Sequence, residues 1–136
     1  MEKASFSIKH YYFDLVKIDL KNYSDGDLMI DFKPKGVFIK DESKFELTFT
    51  FYAMSNSNKG KNFIKIRCIG EFIFENAKTI EDIPTYFYRN SIALLFPYLR
   101  AYVSLVTNQA NIPPLILPTM NLVSLEEPLK NNTKEI

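Results

Sequence analysis

The sequence predicts an α+β fold in a single domain. Four stretches with alternating apolar side chains come first in the 136 residues. A long apolar helix and a segment broken by prolines follow them. Strands that precede helices, instead of alternating with them, are typical of this fold class. At this length one domain is expected over residues 1–136, with its core over about 5–122.

The first strand is predicted from Phe6 to Leu20. Its even positions recur with the period of two that places side chains on one side of a sheet. These positions are Phe6, Ile8, Tyr12, Val16, Ile18 and Leu20. Apolar residues at 11, 13 and 15 indicate that the middle of the strand is covered on its other face as well.

Three further strands follow a polar turn at 22–27. The second contains Leu28, Ile30 and Phe32 and is interrupted by Pro34 and Gly36. The third and fourth are joined by a polar hairpin loop over 55–61, and their buried faces show the same period of two. Those faces are Phe45, Leu47, Phe49 and Phe51, then Ile64, Ile66, Cys68, Phe72 and Phe74. A glycine at position 70 predicts a bulge or a close backbone approach.

The main helix is predicted from about Asn90 to Asn108, with Pro97 inside it. It is apolar almost all round, because its polar or small residues form only one narrow stripe. That stripe consists of Ala93, Pro97, Arg100, Ser104 and Thr107. A helix with so little polar surface must be covered on both sides, so we expect the chain to associate with itself.

Two shorter features flank this helix. Thr79 resembles the cap of a helix start. From Glu126 onward the chain is polar, and Pro128 should leave any closing helix short or absent. We therefore expect residues 126–136 to be a flexible tail.

Composition argues against several classes of protein. The net charge of +1 is too small for a dedicated nucleic-acid binder or for attraction to anionic membranes. No apolar run reaches the roughly 20 residues needed to span a bilayer, so no membrane insertion is expected. The N-terminus lacks a signal-peptide pattern, and the one cysteine cannot form an internal disulfide. These features predict a cytoplasmic protein.

No pattern of catalytic residues is evident, so we predict no enzyme, no cofactor and no metal. The one histidine, His10, and the one cysteine, Cys68, cannot make a zinc site. Cys68 lies on the predicted inward face, where a thiol is inert. The paired carboxylates fall in predicted turns and at helix ends, where acids serve capping and solubility. Lysines around Phe63 hint at a nucleic-acid surface, but acidic residues continue the same face.

Three segments resemble the SecB protein-export chaperones. Ile92-Ala-Leu-Leu-Phe-Pro-Tyr-Leu-Arg is similar to the Leu-Phe-Pro-Tyr-Ala-Arg helix signature of that family. Pro113-Pro-Leu-Ile-Leu-Pro-Thr-Met-Asn-Leu is similar to the Pro-x-Leu-x-Leu-x-Pro-Val-Asn-Phe segment that follows it there. Gly70-Glu-Phe72 resembles the Gly-Ile-Phe near the end of the fourth strand. The resemblance covers roughly residues 5–122.

The resemblance implies a four-stranded antiparallel sheet with helices on one side, in a dimer of dimers. It implies ATP-independent holding of unfolded polypeptides in apolar grooves. The implied peptide-binding residues are Leu28, Ile30, Phe32, Leu115, Leu117, Met120 and Leu122. The contacts between subunits would lie on the helix, at Leu95, Phe96, Leu99, Tyr102, Val103 and Val106.

Three readings of the function remain open. Export chaperones of this family are usually acidic, which helps them to dock the secretion motor SecA, whereas this chain is nearly neutral and carries Lys65 and Arg67 on its outer sheet face. SecA is therefore a doubtful partner. The alternatives to general holding are a dedicated chaperone of an antitoxin in a toxin–antitoxin system and, further removed, a protein that binds or converts a small ligand.

Overall fold

The computed structural model describes residues 5–118 and 121–136. The predicted α+β class is confirmed, since four long strands precede a long helix. In chain order the elements are β1 (Phe6–Ile18), β2 (Leu28–Ile39), β3 (Lys44–Ser55), β4 (Asn62–Phe74), α1 (Tyr86–Gln109), α2 (Glu126–Asn131) and β5 (Thr133–Glu135).

The sheet has the strand order β1-β4-β3-β2-β5, so its described part has five strands where four were predicted. The four long strands pair antiparallel, and β5 pairs parallel to β2 over Gly36–Phe38. Backbone groups hold β5 in place: the Gly36 N–H donates to the Asn132 carbonyl at 3.1 Å, and the Ile136 N–H to the Phe38 carbonyl at 2.9 Å. A strand held in this way needs no apolar side-chain pattern, which is why the sequence did not reveal it.

The C-terminal segment differs from the flexible tail that we expected. Residues 126–131 form α2, and Leu129 is fully buried. Pro128 lies in the first turn of α2, where a backbone N–H has no partner inside the helix, so its missing proton costs little.

The core lies between one face of the sheet, here called the inner face, and α1. The apolar faces predicted for the third and fourth strands are confirmed, because all their members are buried. Gly70 marks a close approach, as predicted: a Cβ there would lie 3.1 Å from Leu95 Cδ1 of α1. The absence of a side chain at this position lets the helix pack down on the centre of the sheet.

The predicted face of the first strand is wrong in its middle. Irregularities in the β1–β4 register fall between Ile8 and His10 and between Phe13 and Leu15. Each extra residue moves the following side chains to the opposite face. Tyr11 and Phe13 consequently face α1, whereas Tyr12 lies on the outer face. The strand also ends earlier than predicted, and Leu20 lies in a 3-10 turn over 20–22.

The long helix begins at Tyr86, earlier than the predicted Asn90. Its first turn is aromatic and follows Pro84, whose carbonyl accepts the Phe87 N–H at 2.9 Å. Thr79 caps only a 3-10 turn over Ile80–Asp82. Pro97 lies inside α1, on its exposed side.

Candidate functional site

The first row of predicted peptide-binding residues lies on the inner face of β2. Leu28, Ile30 and Phe32 stand opposite Ser55, Ala53 and Phe51 of β3. Leu28 and Ile30 are half-buried and keep apolar surface in reach of solvent. Phe32 is buried, and its ring centroid lies 5.5 Å from that of Phe49, so it is a core residue.

The second row lies on the segment that follows α1. Leu115 and Leu122 are half-buried, whereas Leu117 is 1% exposed and belongs to the core. Met120 lies outside the described residues. Leu28, Ile30, Leu115 and Leu122 are partly buried, and all four pack against the core cluster.

Hydrogen bonds tie the second row to α1. The Ser104 hydroxyl donates to the Leu115 carbonyl at 2.9 Å, and the Leu115 N–H donates to Thr107 Oγ1 at 2.9 Å. Thr107 Oγ1 also donates to the Val103 carbonyl at 2.8 Å. Both hydroxyls belong to the polar stripe predicted for the helix, but the pattern of that stripe did not indicate that it holds the segment after α1.

An exposed residue that the sequence analysis missed lies beside them. Ile116 is 72% exposed, and it lines a cavity of about 370 Å³ with Pro97, Arg100 and Ser104 of α1. The exposure of Ile116 could have been predicted from its position between Leu115 and Leu117, because alternate residues of an extended segment point in opposite directions.

The edge of β2 lacks a paired strand along part of its length, although α2 lies against β2 and contributes Pro128 to the surface beside Pro34. Within residues 5–118 and 121–136, no strand pairs with β2 on this side over 28–35, because β5 covers only Gly36–Phe38. Gly36 and Phe38 direct their backbone groups to that side, so residues 28, 30, 32 and 34 do the same. Asp31 Oδ1 accepts the Phe32 N–H at 2.9 Å, and Pro34 has no backbone N–H. Such features limit uncontrolled pairing at sheet edges.

Most of the predicted subunit contacts belong to the core of the chain itself. Leu95, Leu99 and Val103 are fully buried and Phe96 is nearly so, while Tyr102 and Val106 are half-buried. The chain itself covers the apolar surface of Leu95, Phe96, Leu99 and Val103, so of the six predicted interface residues Tyr102 and Val106 keep the most accessible surface.

A different face of α1 is free for contacts. It exposes large apolar side chains, of which Leu105 is 54% exposed. The others are Tyr86, Leu94 and Tyr98. Tyr98 stacks on Tyr11 of β1 with ring centroids 4.1 Å apart, so this apolar face continues onto the terminal strand of the sheet.

The candidate catalytic groups are not assembled into a site. His10 is exposed and lies against the Tyr12 ring at 5.3 Å. Asp14 instead accepts two hydrogen bonds from Arg67, both at 2.8 Å, and these bonds hold the pKa of its carboxyl below the usual value. Burial raises the pKa of the Cys68 thiol to about 12, which leaves no thiolate at neutral pH. In the described part of the chain, no three His, Cys, Asp or Glu side chains are grouped to hold a metal.

Two further features bear on partners. Phe63 is buried and contacts Tyr23, so it presents no ring on which a nucleic-acid base could stack. None of the helices in the described residues has the length and apolar character needed to cross a membrane.

No protein-family model matches the chain. An uncharacterized protein of Methanocaldococcus jannaschii is 48% identical over 50 residues, which are 34% of this chain and 32% of that protein. The match therefore spans about a third of the length of this relative.

Two solved structures show a similar arrangement of elements. One is a SecB-like chaperone of Mycobacterium tuberculosis in complex with a ChAD peptide from the HigA1 antitoxin. The TM-score is 0.67 at 18% identity, and the match covers 85% of this chain and 90% of that chain. The other is a protein of unknown function from Streptococcus agalactiae, with a TM-score of 0.44 at 9% identity. The match covers 87% of this chain and 100% of that chain, but this likeness is too weak to support a conclusion about the fold. The first confirms the predicted resemblance at the level of the fold, which is SecB-like.

Proposed function

We propose that this protein is a chaperone that holds unfolded or extended polypeptides without using ATP. The observation that carries the proposal is the accessible apolar surface that Leu28, Ile30, Leu115 and Leu122 keep, together with the edge of β2 over 28–35, on which no strand of the described residues pairs. Burial of a large apolar side chain of the client contributes about 1.5–3 kcal/mol, so a few weak contacts along one chain can hold it. The SecB-like fold supports this function.

Suppression of aggregation tests the proposal. A chemically denatured client enzyme is diluted into buffer without nucleotide, with and without the protein, and light scattering is followed. We expect suppression that is unchanged by ATP. The Ile30→Ser variant should require up to about tenfold more protein for the same effect, because it removes apolar contact surface.

Met29→Ser is the matched control. Met29 is the exposed neighbour of Ile30 and points to the other face of the sheet, so this variant should retain activity. Circular dichroism must show that both variants are folded. Wild-type protein that fails to suppress aggregation, or equal losses in both variants, would contradict the proposal.

A second candidate is a dedicated chaperone of an antitoxin. It is favoured by the Mycobacterium tuberculosis SecB-like chaperone, whose structure contains an antitoxin peptide. Capture of bound polypeptides from the source cells, read by mass spectrometry, separates the two functions. A broad set of clients supports general holding, and one small antitoxin supports the dedicated function.

We further propose that the protein acts as a dimer of dimers in the cytoplasm. The free face of α1 exposes Leu94, Tyr98 and Leu105, which a partner would cover, and the edge of β1, on which no strand of the described residues pairs, adjoins it. Size-exclusion chromatography with light scattering should find an assembly that Leu94→Glu reduces in size. A stable wild-type monomer would refute this part of the proposal. We do not propose docking to SecA, because the outer sheet face carries Lys33, Lys35 and Lys65 where a continuous acidic surface would be needed.

A further inference from the structure

A cleft on the outer face of the sheet gathers basic side chains around a polar floor. Its volume is about 430 Å³, and it is here called the outer cleft. Its charged and hydroxyl lining consists of Lys33, Lys35, Thr48, Thr50, Lys65 and Arg67. The strand order explains the shape, because the short threonines of β3 form a floor between the longer basic side chains of β2 and β4.

The four cations of the outer cleft outnumber the carboxylates beside them. Asp14 accepts two hydrogen bonds from Arg67 and neutralises it. Asp31 lies on the same face of β2 as Lys33, two residues before it, but among the described residues no ion pair joins the two side chains. Four cations against two carboxylates leave an excess of two positive charges at the outer cleft.

Two of these cations are held close together by one aromatic ring. The Nζ atoms of Lys33 and Lys65 lie 5.2 and 5.6 Å from the centroid of the Tyr52 ring. The ion pairs in the described part of the chain include neither lysine. Each ammonium group is attracted to the ring, but the two repel each other. An anion bound beside them would replace this repulsion by attraction.

The floor of the outer cleft carries a hydroxyl group that has no partner. Thr50 is 6% exposed, and the register of the sheet places it between Lys33 of β2 and Arg67 of β4. In the described part of the chain no side-chain hydrogen bond uses its hydroxyl, whose oxygen still meets solvent. Since Thr50 lines the outer cleft, this hydroxyl is available to a ligand there.

We propose that the outer cleft binds a small molecule that carries a phosphate monoester. Such a group carries about 1.5 to 2 negative charges at neutral pH and has three acceptor oxygens. Its charge matches the excess of the outer cleft, whereas a single carboxylate would neutralise only half of it. Its oxygens can accept hydrogen bonds from lysines on two sides and from the Thr50 hydroxyl below. The volume of the cleft suits a small ligand.

The surroundings of the outer cleft favour a small molecule over a macromolecule. A nucleic acid needs a long basic track, but Glu46 and Glu71 stand opposite each other further along the same face. A strand cannot enter beside Lys35, because Pro128 and Asn132 line that side of the cleft and the Asn132 carbonyl accepts the Gly36 N–H.

The test compares phenyl phosphate with phenyl sulfate, which are similar in shape but differ by about one negative charge at neutral pH. Isothermal titration calorimetry at about 50 mM NaCl measures the two affinities. We expect phenyl phosphate to bind about two- to fivefold more tightly than phenyl sulfate. The difference should disappear near pH 5, because the second pKa of a phosphate monoester is about 6.

Three variants locate the binding. Lys33→Gln should weaken the binding of phenyl phosphate about two- to fivefold. Lys40→Gln makes the same change at an exposed lysine outside the outer cleft and should leave the affinity unchanged. Thr50→Val keeps the shape of the side chain but removes the hydroxyl, so it should weaken binding about three- to tenfold. It should not lower Tm, because the hydroxyl has no partner within the described residues.

The outcomes that would overturn this inference leave the proposed function standing, because holding uses the inner face of the sheet. No binding of phenyl phosphate, or equal affinity for the two probes at neutral pH, would overturn it. Equal losses in Lys33→Gln and Lys40→Gln would show an effect of net charge only, and a lower Tm in Thr50→Val would show that the hydroxyl has a structural role; either result overturns it. Tighter binding of a phosphoserine peptide or a single-stranded oligonucleotide than of phenyl phosphate would overturn it in favour of a macromolecule.

Discussion

Replacement of Gly36 by alanine should destabilise the protein through one identifiable clash. A Cβ at this position would overlap the Phe45 ring and would lie 2.9 Å from Thr133 Oγ1 of β5. Phe45 has no room to retreat, since it is fully buried and its ring packs edge-on against Phe87 at 4.7 Å. An overpacked core costs about 1–3 kcal/mol. At roughly 3–4 °C per kcal/mol for a chain of this size, Gly36→Ala should lower Tm by about 3–12 °C.

Thermal unfolding followed by circular dichroism measures the effect, and a double variant tests its cause. Phe45→Leu alone removes packing and should also lower Tm. In the Gly36→Ala background, however, the smaller side chain relieves the overlap, so the double variant should be more stable than the sum of the two losses predicts. Strictly additive losses, or a Gly36→Ala protein that unfolds at the wild-type temperature, would refute the reasoning.

Three more predictions follow from single contacts. Asp14→Asn should lower the free energy of unfolding by less than about 1 kcal/mol at pH 7, since the ion pair with Arg67 is partly exposed. The folded-state pKa of Asp14 is lowered, so this difference is present above the unfolded-state pKa of about 3.9 and is lost as the pH falls through the folded-state pKa. Urea unfolding at a series of pH values measures it. Cys68 should resist alkylation by iodoacetamide at pH 8 in the folded protein and react once urea unfolds it, because its pKa is raised to about 12; rapid reaction without urea would contradict its burial. Thr107→Val should lower the free energy of unfolding by about 1–2 kcal/mol, because it leaves the Leu115 N–H without its acceptor. Hydrogen exchange of the Leu115 amide should then accelerate, and unchanged exchange would argue against this hydrogen bond.

The strands that the sequence predicted correctly are those whose side chains alternate without interruption. Phe45 and Phe51 of β3, and Ile64 and Phe72 of β4, keep one face throughout, so the period of two was sufficient. The middle of β1 was misassigned because a register irregularity inserts a residue without any distinctive composition. Lys9 is one such inserted residue, and it looks like any outward-facing lysine.

The candidate site was predicted in part, for a related reason. Periodicity shows that a side chain needs cover, but it does not show what provides that cover. Leu95 and Leu99 are as apolar as an interface requires, yet the sheet of the same subunit covers them. Phe32 and Leu117 were likewise predicted to bind clients and are buried in the core, whereas Leu28 and Leu115 keep accessible surface. The sequence could not predict the cleft on the outer face of the sheet, because it depends on the strand order that places Lys33 of β2 and Arg67 of β4 on either side of Thr50 of β3.

The strand-free edge of β2 is poorly suited to pairing with a second copy of itself. Towards Phe32 and Pro34 it offers carbonyl acceptors, but the Phe32 N–H is held by Asp31 and Pro34 has no N–H. If two such edges paired antiparallel at these residues, carbonyls would remain without donors, and buried unpaired groups are unfavourable. Asp31 and Pro34 therefore disfavour pairing of this edge with a second copy of the chain.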